Sequence, residues 1–174
     1  MKKFLLTITA VALAVFANAQ SKFAYVDTEY ILANIPEYKS AQADLDKLSV
    51  QWQKEIEAKY TEIDKLYKSF QAEQILLTDD MRNKRQNEII DKEKEAKDLQ
   101  KQKFGVDGEL FKKRQELVKP IQDKVYNAVK AIAEKGAYAA IFDKSSDLTM
   151  LYTNPKYDKS DEVLISMGYK AGAK

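Results

Sequence analysis

Neither cysteine nor histidine occurs anywhere in the 174 residues of this chain. Without cysteine there is no disulfide framework, no thiolate nucleophile and no sulfur-ligated metal. Without histidine the commonest general base and the commonest zinc ligand are absent, which excludes triad and HExxH chemistry. Acid–base work would fall to carboxylates and lysines alone, so neither an enzyme nor a cofactor is expected. No Walker loop or other phosphate cradle is written in the sequence either.

A long apolar run is also missing. The run Phe4–Phe16 spans 13 residues, interrupted by Thr7 and Thr9, after the positive pair Lys2-Lys3. A membrane span needs about 20 such residues, whereas a short apolar core closed by a small-x-small triplet, here Ala17-Asn18-Ala19, marks a secretory signal peptide. We expect a signal peptide over 1–19, cleaved before Gln20, leaving 155 exported residues. Cleavage removes two lysines from 29 basic residues, so 27 basic face 27 acidic. Phosphate binding needs a clustered positive surplus, so no nucleic-acid partner is expected.

The exported part falls into zones. Residues 37–119 are charged, with 18 basic and 18 acidic residues and only Gly105 and Gly108 as glycines. Leu45, Leu48, Trp52, Ile56, Tyr60, Ile63, Tyr67 and Phe70 recur at steps of three and four, one apolar stripe of coiled-coil character. The consecutive steps of four depart from a heptad and predict a locally unwound supercoil. Thr78 suits a helix N-cap and Asp79-Asp80 the positive helix end, so a second helix begins there. Equal arms, 37–77 and 79–119, the second ending just before Pro120, predict an antiparallel helical hairpin projecting from a small body. Its register sets Gly105 opposite Gln51–Trp52, leaving room for the tryptophan, and the pair of glycines also suggests a bending point. On the return arm Glu88/Lys92 and Glu93/Lys97 read as i,i+4 pairs.

Residues 20–36 and 120–174 should form the body. Lys22–Asp27, Ala137–Asp143 and Leu148–Tyr152 read as strands, with Lys144–Asp147 as a hairpin connection, followed by a helix Ser160–Met167 stopped at Gly168. A core this small, with open sheet edges, favours a homo-oligomer in which strands pair between subunits. The fold class is therefore α+β: a small barrel-like body assembled by oligomerisation, carrying a long α-helical hairpin.

A strand before a long charged hairpin, then strands and a short helix after it, resembles the Skp/OmpH family of periplasmic chaperones. The resemblance spans 22–169, strongest in Phe23–Leu32 with Pro36-Glu37-Tyr38, and in Tyr138–Asp143 through Val163–Gly168. It implies a periplasmic homotrimer whose strands make a small barrel and whose arms enclose a cavity. Such proteins hold unfolded outer-membrane β-barrel proteins without ATP. The well-known members are strongly basic. The balanced arms here point to local and apolar contacts instead, and contact with a membrane surface stays open. No lipopolysaccharide-binding residue is carried over.

For client contact the candidates are Phe70, Ile75, Leu76, Leu77, Met81, Ile89 and Ile90, clustered on the distal half of the hairpin; packing within the hairpin is the alternative role for each. For the oligomer interface they are Phe23, Tyr25, Ile141, Phe142, Leu148 and Met150, which could instead form a single-subunit core. A structural coiled-coil spacer or adaptor of the cell envelope is the rival function.

Overall fold

The computed structural model describes residues 21–146 and 150–172. The expected signal peptide and Leu148 lie outside the described residues. The chain divides into two compact units, one of residues 36–122 and one formed by the segments before and after it.

The first unit is a helical hairpin. Helix α2 runs Pro36–Glu73, opened by a proline whose missing N–H is not needed in the first turn. Helix α3, Asp79–Phe104, returns antiparallel to it; Lys59 bonds Glu95 at 3.2 Å and Lys92 bonds Glu62 at 3.3 Å. Thr78 Oγ1 accepts from the Met81 backbone N–H as N-cap, and Asp79 and Asp80 occupy the first turn. Lys92 thus reaches across the hairpin rather than along its own helix to Glu88, while Glu93 and Lys97 pair locally at 3.9 Å.

The seam is a strict heptad, unlike the stripe expected. Leu45, Ser49, Trp52, Ile56, Lys59, Ile63, Leu66 and Phe70, at alternating steps of four and three, are all buried or half-buried, whereas Tyr60 and Tyr67 are exposed. Lys59 holds a seam position because its aliphatic stem lies along the apolar surface while its ammonium reaches Glu95. With the heptad unbroken, no local unwinding is called for.

The return arm is not one helix. It ends at Phe104, a turn spans 105–108, and α4 then runs Glu109–Gly136 straight through Pro120. The glycines serve this turn rather than making room for Trp52. A Cβ on Gly108 would lie 2.8–2.9 Å from the Gly105 backbone and 2.9 Å from the Lys103 carbonyl oxygen. Trp52 packs edge-on against Phe104, ring centres 6.2 Å apart. Gly108→Ala should therefore lower hairpin stability by about 1–3 kcal/mol through forced backbone movement. Thermal melts of the two proteins check this. The helix survives Pro120 because Val118, Ile121, Val125 and Ile132 form a buried stripe across it. Proline costs about 3 kcal/mol in a helix interior, and burying four branched side chains offsets that.

The second unit centres on β1, Lys22–Val26, paired parallel with β2, Tyr138–Asp143. Parallel strands need a crossover connection, and the whole helical hairpin lies within it. On the other side of β1, a bridge joins Tyr25 to Asp158. Helix α1, Thr28–Ala33, packs with α5, Ser160–Ser166, burying Ile31, Ile35, Val163 and Leu164. Ser160 is fully buried; its hydroxyl donates to Asp158 and accepts from the Asp27 backbone N–H. Gly168, at φ +86°, closes α5 in a conformation that favours glycine. Among the described residues 150–152 no strand forms, so the expected β-hairpin after Asp143 is absent there. Strand propensity depends on context and does not by itself order a segment, and residues 150–152 keep none of the expected ladder.

Asp143 fastens the end of β2. Its carboxylate accepts from the Thr28 backbone N–H at 3.1 Å, the Thr28 hydroxyl at 2.6 Å and the Ser145 backbone N–H at 3.0 Å. Burial pushes its pKa up, but the Thr28 and Ser145 bonds together outweigh that and hold it below the usual carboxylate value. A depressed folded-state pKa stabilises above the unfolded value of about 3.9, and that contribution is lost as pH falls through the lower folded value. Asp143→Ala should cost about 1–3 kcal/mol at neutral pH and flatten the acid limb of the stability–pH curve. Urea unfolding at stepped pH measures both.

Candidate functional site

Two surfaces gather the candidate residues. At the distal end of the hairpin, α2 stops after Glu73, and the Leu76 N–H bonds the Glu73 carbonyl in a tight turn. This turn leaves Ile75 85% and Leu76 83% exposed. Met81 and Ile90 are also exposed, on the first turns of α3 and on its outer face. Phe70 and Ile89 are placed otherwise. They are buried with Ile63 and Ala96 in the hairpin's own core, and Leu66 and Leu77 pack against it. The candidate set thus splits into an exposed quartet and residues that hold the end together. Arg82 fastens the turn, its guanidinium near the Leu77 carbonyl at 3.4 Å and Asp79 at 3.5 Å.

At the other end of this unit, Lys103 links three elements. Its ammonium lies 4.8 Å from the Trp52 ring centre and 2.6 Å from Glu109, which Gln102 also bonds at 2.9 Å. The Lys103 bond is the main cause that holds the Glu109 carboxyl below its usual pKa. This network closes the α3–α4 turn against α2.

The second surface is one face of the β1–β2 pair. Because Phe23 pairs with Ala140 and Tyr25 with Phe142, these four share a face. Phe23 and Phe142 stack at 6.2 Å and are both substantially exposed, while Tyr25 is buried and Ile141, on the opposite face, is half-buried. A cleft of about 650 Å³ opens here, lined by Phe23, Tyr25, Tyr138, Phe142, Met150 and Tyr157 among others. Leu151 and Tyr152 beside it are almost fully exposed. Sequence reasoning passed over Leu151 and Tyr152 as site residues, although the branched and aromatic run 148–152 signalled them. It also placed Tyr60 and Tyr67 in the seam, where apolar size alone cannot separate a seam position from its neighbour.

Among the described residues no group of three or more acidic side chains is placed to hold a metal, and no helix is long and apolar enough to cross a membrane. The profile of the family described as Outer membrane protein (OmpH-like) matches residues 22–167. This chain belongs to the OmpH-like family. An uncharacterised protein of Aquifex aeolicus (strain VF5) is 33% identical over 164 residues, covering 94% of each chain. The crystal structure of a candidate outer membrane chaperone (OmpH-like) from Caulobacter crescentus CB15 matches with a TM-score of 0.66 at 14% identity, covering 91% of each chain. At that identity the likeness shows a common fold: the OmpH-like fold is mostly helical, with a long helical hairpin and a small sheet.

Proposed function

We propose that this OmpH-like protein is an exported, ATP-independent holdase that shields unfolded outer-membrane β-barrel proteins between the helical arms of a homotrimer. The observation that carries the reading is the hairpin's end, where Ile75 and Leu76 stand in solvent on a turn that its own core does not need. Exposed apolar side chains at the end of a charged rod suit weak, sequence-tolerant contact with an unfolded chain. An unfolded barrel offers apolar alternation and unpaired strand edges that otherwise aggregate. The family and the chaperone assignment of its Caulobacter relative support the client class.

The trimer is proposed from the sheet face. Exposed Phe23 and Phe142, the cleft beside them, the outer edge of β2, which takes no partner among the described residues, and the exposed Leu151 and Tyr152 are surfaces a neighbouring subunit would cover. Ile141 and Met150 are proposed to join them. The processed protein, mixed with a urea-unfolded outer-membrane barrel and passed over a sizing column with light-scattering detection, should elute as three copies with one client. Elution of the client only in the void, with the protein separate, contradicts the proposal. A folded partner bound at fixed stoichiometry, with uniformly protected arm amides, would favour the spacer or adaptor instead.

A further inference from the structure

The heptad seam divides the hairpin into two flanks of different chemistry. On α2 the residues beside the seam are Asp46, Gln53, Tyr60 and Tyr67 on one side and Leu48, Glu55, Glu62 and Ser69 on the other; on α3 they are Gln86, Glu93 and Gln100 against Met81, Glu88, Glu95 and Gln102. The cross-helix ion pairs fix which sides coincide. Lys59 reaches Glu95 and Lys92 reaches Glu62, so both glutamates and both ammoniums lie on one flank. The nearby Glu62 and Glu95 raise the Lys92 pKa accordingly. Antiparallel packing then sets Gln53, Tyr60 and Tyr67 beside Gln100, Glu93 and Gln86 on the opposite flank. That flank carries two carboxylates, Asp46 and Glu93, in seven positions, against four in eight on the other; Glu93 lies close to Lys97, and Tyr60 and Tyr67 are 39% and 50% exposed.

We propose that the Tyr/Gln flank is the surface along which the held client lies, its occupant an uncharged, aromatic-bearing segment of an unfolded outer-membrane β-barrel. The inference rests on the holding function proposed above. Barrel strands alternate apolar and polar residues and end in aromatic girdles. Tyrosine offers such a segment a ring while its hydroxyl stays in water. Glutamine both donates to and accepts from an unpaired strand backbone. The glutamate flank is mismatched, because an apolar segment laid on it would strip water from carboxylates. Neither tyrosine nor glutamine selects a sequence, as a carrier of many clients requires.

The test places the photo-crosslinker benzoylphenylalanine at 60, 67, 55 or 62 in the processed protein. A urea-unfolded outer-membrane β-barrel is diluted into each variant and irradiated. Client adducts are expected from positions 60 and 67 at about fivefold or more the yield from 55 and 62, reflecting a surface preference of about 1 kcal/mol. Equal yields, or the reverse order, with the client kept soluble would overturn the flank assignment and leave the holding function standing. Adducts that join only copies of the chain would overturn the choice of occupant. A client that precipitates with every variant and with the unmodified protein would remove the holding function, and this inference with it. As a second arm, Tyr60→Glu with Tyr67→Glu should weaken client binding about tenfold, and Glu55→Gln with Glu62→Gln should not.

Discussion

Trp52→Ala is expected to destabilise the helical hairpin by about 3–5 kcal/mol, the range for emptying a large buried aromatic site. The side chain is 8% exposed and touches the return helix at its last residue, Phe104, in an edge-to-face contact. It also carries the Lys103 ammonium over its ring, and Lys103 in turn holds Glu109 across the α3–α4 turn. Truncation therefore removes a buried surface, a ring–ring contact and the seat of a lysine together. Trp52→Phe should keep most of the burial and lose about half as much or less. Tyr60→Ala, on an exposed position, should change stability by less than about 1 kcal/mol. Since Trp52 is the only tryptophan, unfolding is followed by far-ultraviolet circular dichroism. A Trp52→Ala protein as stable as the parent would show that the seam does not run as described.

Ile75→Asp combined with Leu76→Asp should weaken holding of an unfolded barrel by tenfold or more and leave the thermal midpoint unchanged. Fully burying one such side chain contributes about 1.5–3 kcal/mol, so even partial burial of two against a client exceeds the roughly 1.4 kcal/mol that a factor of ten represents. Both residues are more than four-fifths exposed, so the fold loses little when they change. Leu77→Asp is the contrast. Leu77 packs on the Ile63–Phe70–Ile89–Ala96 cluster, so this change should loosen the hairpin end and lower the melting temperature. Competition titration against a labelled client separates the two cases. Undiminished affinity in the Ile75/Leu76 double variant would remove the end of the hairpin from the binding surface.

These two predictions also show where sequence reading reached and where it stopped. The hairpin turn was legible because Thr78, Asp79 and Asp80 act locally, through the orphan N–H groups of a helix start. Gly168 was legible for the same kind of reason, a positive φ that favours glycine. The seam was less so. Tyr60 and Tyr67 looked more apolar than their neighbours Lys59 and Leu66, yet the partner helix decides which column is covered, and a lysine stem serves there. Pro120 misled in the opposite direction, since the local cost of proline is outweighed by a buried stripe on both sides of it. The end of the return arm at Phe104 was suggested by Gly105 and Gly108 only as a bending point. The segment after Asp143 carries strand-like residues but takes no strand over 150–152, because strand propensity is a preference that context overrides. Of the client candidates, chain position found the right region, and only packing could separate Phe70 and Ile89 from Ile75 and Leu76.

The central claim is that the processed protein keeps an unfolded barrel soluble by itself. Light scattering is followed while a urea-unfolded outer-membrane β-barrel is diluted into increasing amounts of it, without nucleotide. The account predicts suppression that saturates near one trimer per client and that ATP does not alter. Undiminished scattering at every ratio would contradict it.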